Sequence, residues 1–197
     1  MKKIVLFALL FALISFSVFA QGFYFDIGGG LGKAWTKIDG EEFVKPDGAI
    51  EFALDLGVKA GYGPFGKIPL YVVGELTMID HVFADGSAIA QFAPAMIGAG
   101  IIYYPVRLIQ LGAGAGYSFT ANQFDTAFGS YEAYDSKGGF AWNASVALDI
   151  GKKNSGFLIG LKYFMAFNTL ETSNVEQNQS YVGLFMKYAY RNKPFNS

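Results

Sequence analysis

The stretch IEFALDLGVKAGY, Ile50–Tyr62, decides the fold. Ile50, Phe52, Leu54, Leu56, Val58, Ala60 and Tyr62 fall on one parity. Glu51, Ala53, Asp55, Gly57, Lys59 and Gly61 fall on the other. A period of two over this length is a β-strand with one apolar and one polar face. A length of about 10 residues is also what a tilted strand needs to cross a bilayer.

The same alternation recurs on both sides of this strand. Upstream, Phe23, Phe25, Ile27, Leu31 and Trp35 oppose Tyr24, Asp26, Gly28, Gly30, Gly32 and Ala34. Downstream come Leu70 to Met78, then Ile89 to Tyr103, where Pro94 blurs the phase, then Ile109 to Phe119. Phe140 to Ile150, Phe157 to Phe167 and Val182 to Tyr190 complete the set. The apolar faces are nearly continuous Phe, Leu, Ile, Val, Tyr and Trp. The opposite faces hold Gly, Ala, Ser, Asn and the strand carboxylates. A soluble barrel would spread charge over its wet outside, so the expectation is the inverse arrangement, with lipid outside and a polar lumen. Such a sheet must close, because unpaired edges in hydrocarbon are costly. The expected fold is all-β, an eight-stranded antiparallel up-and-down transmembrane β-barrel over residues 21–197.

Residues 1–20 read as a cleaved signal peptide: Met1-Lys2-Lys3, an apolar run from Ile4 to Phe19, and small residues at Val18-Phe19-Ala20. The chain is expected to be exported and integral to the bacterial outer membrane. Twenty-five glycines, 20 Phe and 12 Tyr fit that class, and the net charge of −1 indicates no nucleic-acid partner. The absence of Cys excludes disulfides, thiolate metal sites and Cys catalysis, and the single His, His81, excludes a His-rich metal site. No cofactor and no metal are expected.

The connections alternate between long and short. Lys37–Gly48, Asp80–Ala88, Thr120–Gly138 and Asn168–Gln179 are long; Gly63–Pro69, Pro105–Arg107 and Gly151–Gly156 are short. The long ones carry Asp39, Glu41, Glu42, Asp47, Asp80, Asp85, Asp125, Glu132, Asp135, Glu171 and Glu176 against Lys37, Lys45 and Lys137. The short turns and tail carry Lys67, Arg107, Lys152, Lys153, Arg191 and Lys193. Long external loops and short inner turns are the outer-membrane pattern.

With this architecture in hand, the chain resembles the small eight-stranded outer-membrane barrels, the group around the OmpA transmembrane domain, OmpX and OmpW. The resemblance covers residues 21–197 and rests on phrases such as GFYFDIGGGLGKAW and LGAGAGYSFT. It implies insertion by the barrel-insertion machinery, outer-membrane lipid as surroundings and a monomeric state. It also implies a closing aromatic residue. The last strand reaches Tyr190, and RNKPFNS follows.

The inward parity yields a lumen charge network of Asp26, Glu51, Asp55, Lys59, Glu75, Asp149, Lys162 and Lys187. Depth along the strands predicts a lower cluster of Asp26, Lys59, Asp149 and Lys187, and a middle one of Asp55, Glu75 and Lys162. Buried charges need partners, so the lumen is expected to be plugged by ion pairs. A narrow conduit gated by those pairs, for small or hydrophobic solutes as OmpW-like members suggest, is the alternative. Outward Phe23, Tyr62, Tyr188 and Tyr190 at one end, and Trp35, Phe140, Trp142 and Phe167 at the other, read as aromatic girdles.

Function is then expected at the outer loops, without catalysis. Phe124, Asp125, Phe128, Tyr131, Glu132 and Tyr134 mix aromatic and acidic groups suited to an extracellular protein or carbohydrate ligand. Gly61–Ile68 approaches a phosphate-binding loop but lacks its Ser/Thr, and no helix follows. A lipid-modifying enzyme centred on His81, with Asp80 and Ser87 near in sequence, is a second alternative that lacks any triad spacing.

Overall fold

The computed structural model describes residues 22–43, 48–65, 68–84, 88–126, 132–152, 154–171 and 174–191. The expected signal peptide lies outside the described residues. Among the described residues ten strands form: β1 (Phe23–Ile38), β2 (Glu41–Glu42), β3 (Ile50–Tyr62), β4 (Leu70–Ala84), β5 (Ala88–Val106), β6 (Ile109–Thr126), β7 (Glu132–Asp135), β8 (Gly139–Lys152), β9 (Ser155–Thr169) and β10 (Glu176–Arg191). Eight are long and run up and down as antiparallel neighbours. The sheet closes where β10 pairs β1, from Tyr24↔Arg191 to Ile38↔Gln177. The fold is the expected eight-stranded antiparallel barrel.

The alternation explains the wall. Along β10, Gln177, Gln179, Tyr181, Phe185, Ala189 and Arg191 are buried. Val182, Leu184, Met186, Tyr188 and Tyr190 face out. The outside is an apolar band, with Leu184 63%, Leu31 64% and Ile150 62% exposed. Such a continuous apolar surface is not sustained in water, and hydrocarbon is its natural solvent. Among the described residues no helix is long and apolar enough to cross a membrane.

The strands are longer than the sequence suggested. β1 runs to Ile38, and a two-residue turn, Asp39-Gly40, returns the chain into β2. Both turn residues have positive φ (54° and 80°), the conformation a tight hairpin requires. β4 continues to Ala84, taking Asp80 and His81 out of the expected loop and into the wall. β6 continues to Thr126 and pairs β7 from Ala121↔Asp135 to Phe124↔Glu132, so much of Thr120–Gly138 is a raised hairpin. β9 runs on to Thr169, and β10 starts at Glu176. These extensions form because polar inward side chains there bond one another, which removes the need for a loop. At the other end β10 closes at Arg191, one residue beyond Tyr190, because Asp149 holds the Arg191 side chain inside.

The structure fixes the phase of β5. Phe92, Pro94, Met96, Ile102 and Tyr104 point inward; Ile97, Ile101 and Tyr103 point outward. Pro94 has no N–H to give. The β4–β5 ladder accordingly skips from Met78↔Ala95 to His81↔Phe92, while Pro94↔Thr120 is kept on the β6 side.

Candidate functional site

The polar groups are stacked inside the barrel in levels. At the turn end, Lys187 Nζ lies 3.3 Å from Asp26 Oδ1, and the Tyr24 hydroxyl donates to Asp26 Oδ2 at 2.8 Å. Gln110 Nε2 donates to the Tyr24 and Tyr104 hydroxyls at 2.9 and 2.7 Å. Arg191 forks onto Asp149, with Nη2 3.3 Å from Oδ1, and its Nη1 also donates to the Tyr104 hydroxyl at 2.9 Å. The Tyr24 and Tyr104 rings pack on Tyr71, with centroids 5.2 and 6.3 Å away.

One level up, Lys59 Nζ lies 2.8 Å from Glu75 Oε2, and Asn143 Nδ2 donates to Glu75 Oε1 at 2.7 Å. Lys162 Nζ donates to Asp55 Oδ1 at 2.6 Å and to Thr77 Oγ1 at 3.3 Å. Higher still the bonded groups on β6, β9 and β10 are neutral. Asn168 Nδ2 donates to Thr120 Oγ1 at 2.6 Å and Ser118 Oγ at 3.2 Å, and Thr120 donates to Gln179 Oε1 at 3.1 Å. Asn122 and Gln177 bond each other twice, at 3.0 and 2.8 Å.

Asp26, Asp55, Lys59, Glu75, Asp149, Lys162 and Lys187 are all buried, and Glu51 is half-buried at the mouth. The expected grouping needs correction. The rung Asp26–Lys59–Glu75 places Lys59 between two carboxylates, and Lys59 bonds Glu75. Asp26 takes Lys187 from the other side, so neither acid is left bare. Asp149 stays at the turn end, linked to Asp26 through Tyr24, Gln110 and Tyr104, but its cation is Arg191. Arg191 was missed because the last strand was ended at Tyr190. Its parity with Lys187 and Ala189 is the signal that finds it. Gln110, Asn143 and Thr77 share the inward parity, but a parity assigns no partner.

His81 is the larger surprise. It is buried at the upper end of β4, with Nδ1 3.2 Å from Thr36 Oγ1 and Nε2 3.2 Å from Glu51 Oε1. Asp80 faces the other way and accepts from Gln91 Nε2 at 2.7 Å, so successive parity separates it from His81. Ser87 lies outside the described residues. Beside His81 opens a mouth cavity of about 360 Å³, lined by residues that include Lys33, Trp35, Phe43, Glu51, His81 and Phe83. Behind Thr36 and His81 the space toward Gln179 and Tyr181 narrows below the size of a water molecule. Among the described residues no cluster of His, Asp and Glu could hold a metal ion.

The expected girdle residues have the outward parity, and Trp35 also borders the mouth cavity where the wall is notched. Phe23 pairs with Tyr62 and Phe140 with Phe167. Tyr188 and Phe157 rings are 6.0 Å apart, Trp142 lies tilted 5.1 Å from Tyr163, and Lys33 covers Trp35 at 5.5 Å. Tyr190 is 37% exposed. Of the loop candidates, Phe128 and Tyr131 lie outside the described residues. Only the backbones of Phe124, Asp125, Glu132 and Tyr134 are described.

No family model matches the chain, and no curated protein matches it. Solved structures do. The attachment invasion locus protein Ail of Yersinia pestis, solved alone and in complex with the heparin analogue sucrose octasulfate, is 17% identical. It aligns over 85% of this chain and 99% of its own, with a TM-score of 0.55. Neisserial surface protein A is 18% identical over 85% of this chain and 96% of its own, with a TM-score of 0.52. At that identity the likeness is one of fold. The chain is built as the small eight-stranded outer-membrane barrels are, closed, antiparallel and apolar on the outside.

Proposed function

We propose that this chain is an exported, integral outer-membrane protein without catalytic activity, whose role is surface interaction through its acidic outer hairpins. The observation that carries this reading is the lumen. Cross-lumen contacts occupy each level from Arg191–Asp149 to Asn122–Gln177, and the space behind His81 is too narrow for water. Eight strands leave room for side chains and little else. What remains for function is the rim.

The rim is acidic, with Glu41, Glu42, Glu171 and Glu176 among the exposed residues there. Ail binds a sulfated heparin analogue. A polyanion of that kind would meet like charge here, which points to a neutral or basic protein or carbohydrate partner. His81 gives no support to catalysis, since Thr36 beside it is buried and Asp80 lies on the opposite face.

A second reading, a narrow conduit for small or hydrophobic solutes, draws on one observation. Lys33 to Thr36 have no rungs to β3, whose ladder with β1 ends at Gly32↔Ala53. The wall is therefore notched beside the mouth cavity. Planar bilayers separate the two. Protein shown folded by heat-modifiable gel mobility should give no discrete conductance steps. Uniform steps would favour the conduit.

A further inference from the structure

We infer that the mouth cavity beside the β1–β3 notch is a binding site for one neutral sugar unit. This deepens the surface-interaction reading and rests on it. At about 360 Å³ the cavity falls at the lower end of small-molecule pockets, and it is closed toward the lumen, since the space behind Thr36 and His81 does not admit water. A recess closed at its base holds a ligand and does not pass it down the barrel.

Its walls select the chemistry. Phe43 and Phe83 lie with ring centroids 5.3 Å apart, and Phe43 packs edge-on to Phe92 at 4.9 Å. Phe43 is held in place by its backbone N–H, which donates to the Thr36 carbonyl at 2.8 Å. Phe83 and Phe92 are buried behind it, so the half-buried Phe43 ring supplies the apolar surface. Beside them stands Glu51, the cross-strand neighbour of Phe83, oriented by His81 at 3.2 Å, and Glu42 and Lys33 also line the cavity.

Two ligand classes fit poorly, and a third competes. An anion meets Glu42 and Glu51. An organic cation is drawn by those carboxylates and opposed by Lys33, which sits against Trp35, and choline tests that class directly. An alkyl chain would strip water from Glu51, Lys33 and His81 and give no hydrogen bond in return. A sugar ring is uncharged, lays its C–H face on aromatic rings, and turns hydroxyls that both donate and accept toward the carboxylate and the ammonium. Glu51 is a binding residue in this scheme and His81 a positioning residue.

The chain has two Trp, and Trp35 lines the cavity, so Trp142→Phe leaves a single reporter at the site. The test titrates that variant, folded in a polyoxyethylene detergent free of sugar, with methyl glycosides of glucose, galactose, mannose and N-acetylglucosamine. Choline and decanoate serve as the charged and alkyl comparisons. At least one glycoside should change Trp35 emission saturably. Glu51→Gln and Phe43→Ala should each raise its midpoint by about tenfold, with heat-modifiable mobility retained. No saturable response to any glycoside would overturn the inference. So would a midpoint unmoved by both substitutions, or saturation by choline or decanoate alone. Conductance steps would sink the plugged-barrel reading separately, whatever the titration gave.

Discussion

Lys162 on β9 reaches across the lumen to Asp55 on β3, Nζ to Oδ1 at 2.6 Å, although β10 and β1 stand between their strands on the nearer way round the wall. The pair is a strut between opposite walls, and both side chains are almost wholly removed from solvent. Removing one partner leaves the other charge buried and bare. Asp55→Asn and Lys162→Met are each expected to cost about 3–5 kcal/mol, and the double variant Asp55→Leu with Lys162→Met to recover most of that. Urea unfolding in lipid vesicles, followed by heat-modifiable mobility, measures it. Equal loss in the single and double variants would show that the strut does not act as a pair.

Gly114 makes room for the Glu75 carboxylate. A Cβ at 114 would fall on the carboxylate oxygens, which Lys59 and Asn143 hold in place. A Cβ at Gly57 would meet only Lys187 Nζ at 3.2 Å and two oxygens at 3.5 Å. Gly114→Ala should therefore destabilise by about 1–3 kcal/mol as an overpacking change, and Gly57→Ala by much less. The same unfolding assay compares them, and equal costs would contradict the assigned position of Glu75.

Arg191 contacts both oxygens of Asp149 and the Tyr104 hydroxyl. Lysine keeps the charge but has no planar fork. Arg191→Lys should cost about 1–3 kcal/mol in unfolding. A loss indistinguishable from zero would mean that the closing end of β10 is held by its ladder alone.

Leu184 is 63% exposed at the middle of β10. If its surroundings are hydrocarbon, Leu184→Arg should lower stability by about 2–4 kcal/mol in a bilayer. An unchanged midpoint would place that face in water.

How legible this molecule was depends on which force decided each feature. The wall was readable because burial alternates with chain parity. Ile50 to Tyr62 therefore announces its two faces without any knowledge of neighbours. Inward position was readable for the same reason, and Lys162 and Asp55 were even placed at one depth. Partner choice was not. Lys59 stands on one rung with both Asp26 and Glu75, and only the arrival of Lys187 from β10 decides between them. His81 was misread as a loop residue because the membrane length sets a minimum for a strand and no maximum. Polar residues such as Gln177 and Asn122 extend the ladders once they bond each other inside. The notch between β1 and β3 leaves no mark in the alternation at all.

The proposed orientation of the membrane-embedded barrel puts its acidic hairpins outside and its short turns inside. The absence of Cys makes the direct measurement simple. Glu41→Cys, at the exposed β2 hairpin, and Arg107→Cys, at the exposed turn before β6, each provide one thiol. On intact cells, a membrane-impermeant maleimide should label Cys at position 41 and not at 107, with both labelled after lysis. Labelling of 107 in intact cells, or of neither position while the protein fractionates as soluble, would contradict the account.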